Sequence, residues 1–184
     1  PKLSSLAKLF GEAEAVRIGQ SSAEAIGEIG AFCVEHGIDA DFRRGGWLWT
    51  ATTRAQMDAW NGVVEICERM GVAVFERLSP EEVALRAGSS VHRAGVLEAS
   101  AAVVQPASLA RGLREVALRL GVTIHEHTRV RGFTRGRPPV VTTDGGKLTA
   151  DRLVIATNAW AAGIRELSRS LAVISSDIVA TAPV

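Results

Sequence analysis

The sequence has 184 residues, of which 47% are apolar and 22% charged, a composition typical of globular proteins and not of disordered ones. Lys and Arg total 21 against 20 for Asp and Glu, so the chain lacks the basic excess that binding to nucleic acid or anionic membrane requires. No apolar run approaches the roughly 20 residues of a membrane span and no signal peptide pattern occurs, so a cytoplasmic protein is expected.

The first part of the chain alternates helical and extended patterns. Apolar residues at helical spacing predict a long helix that Gly37 is in position to end. Alternation in WLWTAT predicts a strand on which Trp47 and Trp49 face the same side of the sheet. SPEE at 79–82 is typical of a capped helix start. The predicted elements are, in chain order, helix 11–35, strand 41–52 with a Gly-Gly bend, helix 54–70, strand 72–78 and helix 80–86.

The second part contains the most regular helix pattern, over 106–120, with Gly121 as its terminator. The run LVIAT at 153–157 predicts a buried strand that enters a turn of small residues and then a helix. The mixture of elements predicts an α/β or mixed α+β fold. The remaining predicted elements are a strand or strand pair over 94–104, strand 122–127, an extended piece over 129–133, a hairpin turning at 144–146, helix 159–171 and strand 172–180.

The cysteines and the chain ends carry further information. Cys33 and Cys67 occupy apolar positions in helical patterns, which favours buried free thiols in a reducing compartment over a disulfide. No histidine is spaced with cysteine in a ligand pattern, so no metal site is expected. The chain opens at Pro1 without methionine and closes in the strand-like SSDIVATAPV, so we expect a piece of a longer protein.

Motifs for phosphate binding and hydrolysis are missing from the sequence. None of the 18 glycines forms G-x-G-x-x-G or G-x-x-x-x-G-K-[ST], so the chain carries no dinucleotide fingerprint of its own. Neither G-x-S-x-G nor H-E-x-x-H occurs, and no pair of carboxylates stands out for acid–base catalysis. The chemistry therefore has to be sought in longer stretches of sequence.

Three such stretches are EIGAFCVEHGIDADFRRGGWLWTAT, VVQPASLARGLREVALRLGVTIHEHTRV and ADRLVIATNAWA, which follow one another in this order. Together they resemble the middle of the D-amino-acid-oxidase-like FAD-dependent oxidoreductases, the group of glycine, sarcosine, D-amino-acid and related amine oxidases. The resemblance runs over nearly the whole chain. It implies part of a split FAD-binding domain, without its N-terminal glycine motif, interleaved with a mixed-sheet substrate domain.

The resemblance also implies a division of the chain and a reaction. The implied segments are a helical lead-in to the FAD domain (1–40), a substrate domain (41–100), part of the FAD domain with an inserted hairpin (101–165) and a return to the substrate domain (166–184). The implied reaction is oxidation of a small-molecule amine or amino acid to an imine by hydride transfer to FAD. A non-catalytic binding or interaction domain of the same ancestry, without flavin, stays open as the alternative.

Cofactor contacts follow from the same resemblance. HTRV resembles the segment whose valine backbone, here Val130, pairs with the adenine edge of FAD. IATNAW resembles the segment that lines the flavin nucleotide, with Ala156, Thr157, Asn158 and Trp160. Asn158 stands where glycine is common in the family, and asparagine tolerates the left-handed backbone that such a turn requires.

Substrate residues are predicted on chemical grounds. A substrate carboxylate usually meets an arginine, whose fork pairs with both oxygens, and the candidates are Arg43, Arg44 and Arg93. Trp47 and Trp49 are candidates for the wall of an amine pocket, although a tryptophan pair on a sheet is more often part of the core. His92 falls in a predicted loop and is a candidate to act in the site, although a surface histidine is the commoner outcome.

Overall fold

The computed structural model describes residues 3–175, which fall into two compact units divided between Thr123 and Ile124. The fold class is mixed, as predicted: five α-helices and eight strands occur in the described part of the chain. The helices are α1 (Leu3–Phe10), α2 (Glu12–His36), α3 (Asn61–Arg69), α4 (Pro80–Ala87) and α5 (Pro106–Arg119). The strands are β1 (Arg43–Arg44), β2 (Trp47–Ala51), β3 (Phe75–Leu78), β4 (Ala94–Glu98), β5 (Ala102–Val103), β6 (Val130–Thr134), β7 (Val140–Thr143) and β8 (Gly146–Thr149).

Helix boundaries follow the local capping signals. α2 ends at Gly37, whose φ of 66° is the left-handed conformation that glycine adopts without strain. At the start of α4, the Glu82 N–H donates to the Ser79 hydroxyl (3.2 Å), and the Ser79 N–H donates to the Glu82 carboxylate (2.8 Å). This reciprocal pair satisfies two N–H groups that would otherwise lack an acceptor at the start of the helix.

Two antiparallel sheets organise the first unit. β4 lies between β2 and β3 in a three-stranded sheet, while β1 and β5 form a separate two-stranded sheet. Trp49, Val96 and Ala51 share one face of the larger sheet because Trp49 lies opposite Val96 and Ala51 opposite Ala94. Trp60 and Val64 pack on that face, and with Ala51 and Val96 they form the buried core. A different helix, α4, approaches the other face, because a Cβ at Gly95 would lie 3.3 Å from Val83 Cγ2.

The second unit contains the antiparallel meander β6–β7–β8, with its turn at Asp144–Gly145 between the last two strands. A β-bulge interrupts the pairing of β6 with β7 between Val130 and Gly132. Two 3-10 helices follow, Asn158–Gly163 and Ser168–Ser170. Ala161 is the residue of the first 3-10 helix that becomes buried.

One predicted helix of the first unit is shorter than the sequence pattern suggests. In place of a continuous helix over 54–70, a 3-10 turn at Arg54–Gln56 precedes α3. Asp58 separates the two with a left-handed φ of 62°, a conformation that an α-helix cannot contain. Gln56 closes a capping box with Thr53, so the local hydrogen bonds favour the short turn.

Two predicted strands are also wrong in this structure. Residues 122–127 and 153–157 form no strand, because no neighbouring strand in the described part of the chain pairs with them. Nor is the second segment buried, since Val154 is 84% exposed. The helix predicted over 159–171 is replaced by the two 3-10 helices. Of the strand predicted over 172–180, residues 172–175 have no regular structure and the rest lie outside the described residues.

Candidate functional site

The segment from Leu153 to Trp160 is exposed and ends in a turn. Residues 152–157 have no regular structure, and Asn158 adopts the left-handed conformation anticipated for it, with a φ of 48°. Chain direction changes at that residue, because the 3-10 helix begins there. The Trp160 N–H then donates to the Thr157 carbonyl oxygen (3.1 Å), which closes the first turn of this helix.

This turn presents backbone and small side chains to its surroundings. Ala156, Thr157 and Asn158 are all exposed, and Trp160 is 84% exposed. Small residues allow a ligand to approach the main chain closely, and an exposed indole provides an apolar surface with one N–H donor. The arrangement can therefore contact a planar or phosphorylated ligand through both backbone and ring.

Val130 lies at the start of β6 in the same unit. It pairs with Thr143 of β7 and is 54% exposed. The next residue, Arg131, forms a two-pronged ion pair with Asp144, with distances of 2.6 and 2.7 Å. Hydrogen bonding to Asp144 raises the pKa of the Arg131 guanidinium, which remains charged. The ion pair links β6, directly after Val130, to the turn between β7 and β8.

Trp47 and Trp49 lie on one face of the sheet, as the alternation predicts, with ring centroids 5.4 Å apart and planes inclined by 23°. The Trp49 ring also makes an edge contact with Trp60 at 6.2 Å. Trp49 therefore packs against the core, while Trp47 is 51% exposed at the outer end of the stack. This face is the one on which α3 packs.

The three candidate arginines do not converge. Arg43 and Arg44 lie on β1, which pairs with β5 and not with the larger sheet. Arg93 immediately precedes β4, at the end of the sheet where Ala51 pairs with Ala94. Trp47 lies at the opposite end of β2, so about 13 Å of strand separates Trp47 from the end of the sheet beside Arg93.

Each arginine makes a different set of contacts. Arg43 Nε lies 2.7 Å from the Asp41 carboxylate. Arg44 covers α2 at Gly27, where an added Cβ would lie 2.9 Å from its guanidinium. Arg93 Nε donates to the Thr52 carbonyl oxygen at 3.3 Å. Its terminal nitrogens form no ion pair or hydrogen bond with another residue within 3–175.

Thr50 and His92 form a polar pair on the other face of the sheet that the sequence patterns do not predict. Thr50 alternates with Trp49 and therefore points away from the core, and its hydroxyl lies 2.9 Å from His92 Nδ1. His92 is half-buried, so the prediction of an exposed loop histidine is wrong. Strand alternation could have placed Thr50 on this face, but the position of His92 depends on how the loop before β4 folds.

The described residues contain no group of three or more His, Cys, Asp or Glu side chains that could hold a metal ion. None of the helices found between residues 3 and 175 has the length and apolar character needed to cross a membrane.

Comparison with known proteins gives consistent matches. A family profile described as FAD dependent oxidoreductase matches residues 6–184. The chain is 28% identical over 140 residues to the probable oxidoreductase OrdL of Rhizobium meliloti strain 1021, covering 76% of this chain and 33% of that protein. It is also 28% identical over 123 residues to gamma-glutamylputrescine oxidoreductase of Escherichia coli strain K12, covering 67% of this chain and 29% of that protein.

The crystal structure of glycine oxidase from Geobacillus kaustophilus shares the fold, with a TM-score of 0.69 and 23% identity. The match covers 80% of this chain and 41% of that one. The chain therefore spans about a third of the length of the two curated relatives and about two fifths of this structural neighbour.

Proposed function

Because this chain belongs to the FAD-dependent oxidoreductase family, we propose that the full-length protein oxidises a small amine or amino acid. The name of one relative, gamma-glutamylputrescine oxidoreductase, and the glycine oxidase fold support a substrate of this class. FAD, when bound, supplies the hydride acceptor for such a reaction, and the protein supplies orientation and electrostatics.

The observation that carries this proposal is the left-handed turn at Asn158. The turn ends an exposed segment without regular structure, in which Ala156 and Thr157 are both exposed. We propose that these three residues and Trp160 contact the nucleotide part of FAD, and that the Val130 backbone contacts the adenine edge. A left-handed turn suits this role, because it lets the chain change direction without placing a large side chain against the ligand.

Exposed apolar residues in this segment support a binding surface that is covered in the full-length protein. Val154 is 84% exposed and Ile155 is 38% exposed, and contiguous exposed apolar surface marks interaction sites in proteins. The 18 glycines of this chain supply no phosphate-binding loop. We therefore propose that the chain of 184 residues alone does not bind FAD tightly and is inactive.

For the substrate carboxylate, the contacts favour Arg93 among the three arginines. Arg43 is paired with Asp41 and Arg44 lies against α2, whereas the terminal nitrogens of Arg93 remain available among the described residues. A guanidinium with two free N–H groups can bind a carboxylate through both oxygens. Trp47 keeps an exposed ring that could line an amine pocket, whereas the contacts of Trp49 support a role in the core.

A kinetic comparison tests the role of Arg93. Arg93→Gln should raise KM for an amino acid by about tenfold or more, because a charge-assisted pair is lost, and should leave KM for the corresponding simple amine unchanged. Arg43→Gln is the matched control, because the Arg43 guanidinium is already paired with the Asp41 carboxylate. Equal KM changes for acid and amine, or a larger effect at Arg43, would show that Arg93 does not bind the carboxylate.

The proposed activity is tested with the full-length protein expressed with excess FAD. The expected result is a flavin absorption band that bleaches without oxygen when one member of an amine and amino-acid panel is added. A protein with no flavin band under these conditions would support the alternative, a binding or interaction domain of the same ancestry. A flavin band that no amine or amino acid bleaches would reject the substrate class and retain the cofactor.

We also propose a cytoplasmic location, supported by the two buried free thiols Cys33 and Cys67. Burial raises the pKa of the Cys67 thiol, with a smaller contribution from the Glu68 carboxylate, so the reactive thiolate is disfavoured. Cell fractionation tests the location, and recovery of the protein outside the cytoplasm would contradict it.

A further inference from the structure

A cavity of about 580 Å³ opens on the first unit between α2 and the segment that carries α3 and β3. Its wall is mostly apolar and includes Ile26, Val63 and Phe75. No Lys, Arg or His lines it, and its charged residues are Glu24 and Glu98. The volume is within the range of roughly 300–1,000 Å³ found for small-molecule sites. Both charges disfavour an anionic ligand.

Glu98 lies between two aromatic residues on the same face of the sheet. In the strand register it is directly opposite Trp47 on β2 and directly opposite Phe75 on β3. Side chains opposite each other on adjacent strands have Cβ atoms about 4.5–5.5 Å apart. A carboxylate flanked by aromatic rings is suited to an organic cation, because ring faces and carboxylate both attract positive charge.

The carboxylate of Glu98 is held in place but retains one accepting oxygen. The Ser100 N–H donates to Oε1 at 2.9 Å, and the Ser100 hydroxyl donates to the same oxygen. Oε2 receives no hydrogen bond and no ion pair from the described residues. No side-chain oxygen among these residues is both buried and unsatisfied, so Oε2 is open to solvent. The site is thus preorganised for one further donor.

We propose that this cavity binds an organic ammonium ion with an apolar stem. The ammonium group donates to Glu98 Oε2, and the stem packs against Val63 and Phe75. This ligand site is additional to the proposed oxidation, because the cavity lining includes none of the candidate substrate residues and binding there requires no flavin. A cation with an apolar tail gains from both the Glu98 carboxylate and the apolar wall.

The test measures the heat of binding of three probes of one length to the full-length protein at neutral pH: n-hexylammonium, hexanol and hexanoate. The expected result is that hexylammonium binds at least about tenfold more tightly than hexanol, because the ammonium adds an attraction between opposite charges that the alcohol lacks. Hexanoate should bind most weakly. Equal affinity for the ammonium and the alcohol, or tighter binding of hexanoate, would overturn the proposal.

Two variants locate the binding. Glu98→Gln removes the charge but keeps an oxygen to accept from Ser100, so it should remove the advantage of hexylammonium over hexanol. Glu76→Gln is the matched control, because Glu76 is exposed on the adjacent strand and pairs with Leu97 on the opposite face. An unchanged advantage in Glu98→Gln, or its loss in Glu76→Gln, would refute the assignment.

Ala23→Phe provides a second, independent variant because Ala23 is a half-buried residue of α2 that lines the cavity. Filling the cavity should abolish binding of hexylammonium and hexanol alike. Binding retained by Ala23→Phe would place the ligand elsewhere and overturn the proposal. Calorimetry requires no turnover, so failure here leaves the flavin test of the proposed oxidation unaffected, and failure of that test leaves this result standing.

Discussion

Replacing Asn158 separates a backbone requirement from a side-chain contact at the proposed nucleotide site. Asn158 has a φ of 48°, and an L-residue without asparagine's local hydrogen bonding is destabilised there by about 1–2 kcal/mol. The segment is exposed, so an alanine can relax to another conformation in the free protein and must return to the turn when FAD binds. Asn158→Ala should therefore raise the FAD dissociation constant roughly 5- to 30-fold.

Asn158→Gly is the matched comparison, because glycine adopts this φ without strain. It should leave the dissociation constant within about twofold if backbone conformation is what matters. The assay is titration of the flavin-free full-length protein with FAD, followed by flavin fluorescence, with thermal unfolding of each variant as a control. Equal weakening by Ala and Gly would show that the Asn158 side chain, and not the turn, contributes the affinity.

Two further substitutions test the packing and capping of the first unit by urea unfolding. Gly95→Ala should lower the free energy of unfolding by about 1–3 kcal/mol, because its Cβ would lie 2.7 Å from a carbonyl oxygen of β2, whereas Gly45→Ala has open space and should change it by less than about 0.5 kcal/mol. Equal effects of these two variants would contradict the sheet geometry. Ser79→Ala should cost about 1 kcal/mol through loss of the α4 cap. Hydrogen bonds from Ser79 lower the pKa of Glu82, so its stabilising contribution is present above the ordinary glutamate pKa and is lost as pH falls through the lowered value. Glu82→Gln should reduce the loss of unfolding free energy over this pH range. An unchanged pH dependence would show that protonation of Glu82 does not affect stability.

The features that the sequence predicted correctly depend on near neighbours in the chain. The end of α2 at Gly37 and the box formed by Ser79 and Glu82 are set within one helical turn, so residue types alone indicate them. The shared face of Trp47 and Trp49 likewise follows from the two-residue repeat of a strand.

The incorrect predictions depend on partners distant in sequence. LVIAT at 153–157 has the composition of a buried strand, but pairing and burial require a neighbouring strand, and none is present among residues 3–175. The separation of Arg93 from Arg43 follows from sheet register, which periodicity does not specify. The assignment of individual residues to FAD and substrate stays a prediction that the experiments above address.

The distribution of tryptophans gives the protein a built-in spectroscopic label on each unit. Trp47, Trp49 and Trp60 form one contiguous set of rings in the first unit, whereas Trp160 is the only tryptophan of the second unit and is 84% exposed. Indole emission shifts to longer wavelength as the ring becomes hydrated, so Trp160 should contribute most of the red edge of the spectrum, with a smaller share from the half-exposed Trp47, and the buried Trp60 the blue edge. A collisional quencher such as iodide should remove the red component first. A single unlabelled sample could then report unfolding of the first unit and occupancy beside Trp160 as separate signals.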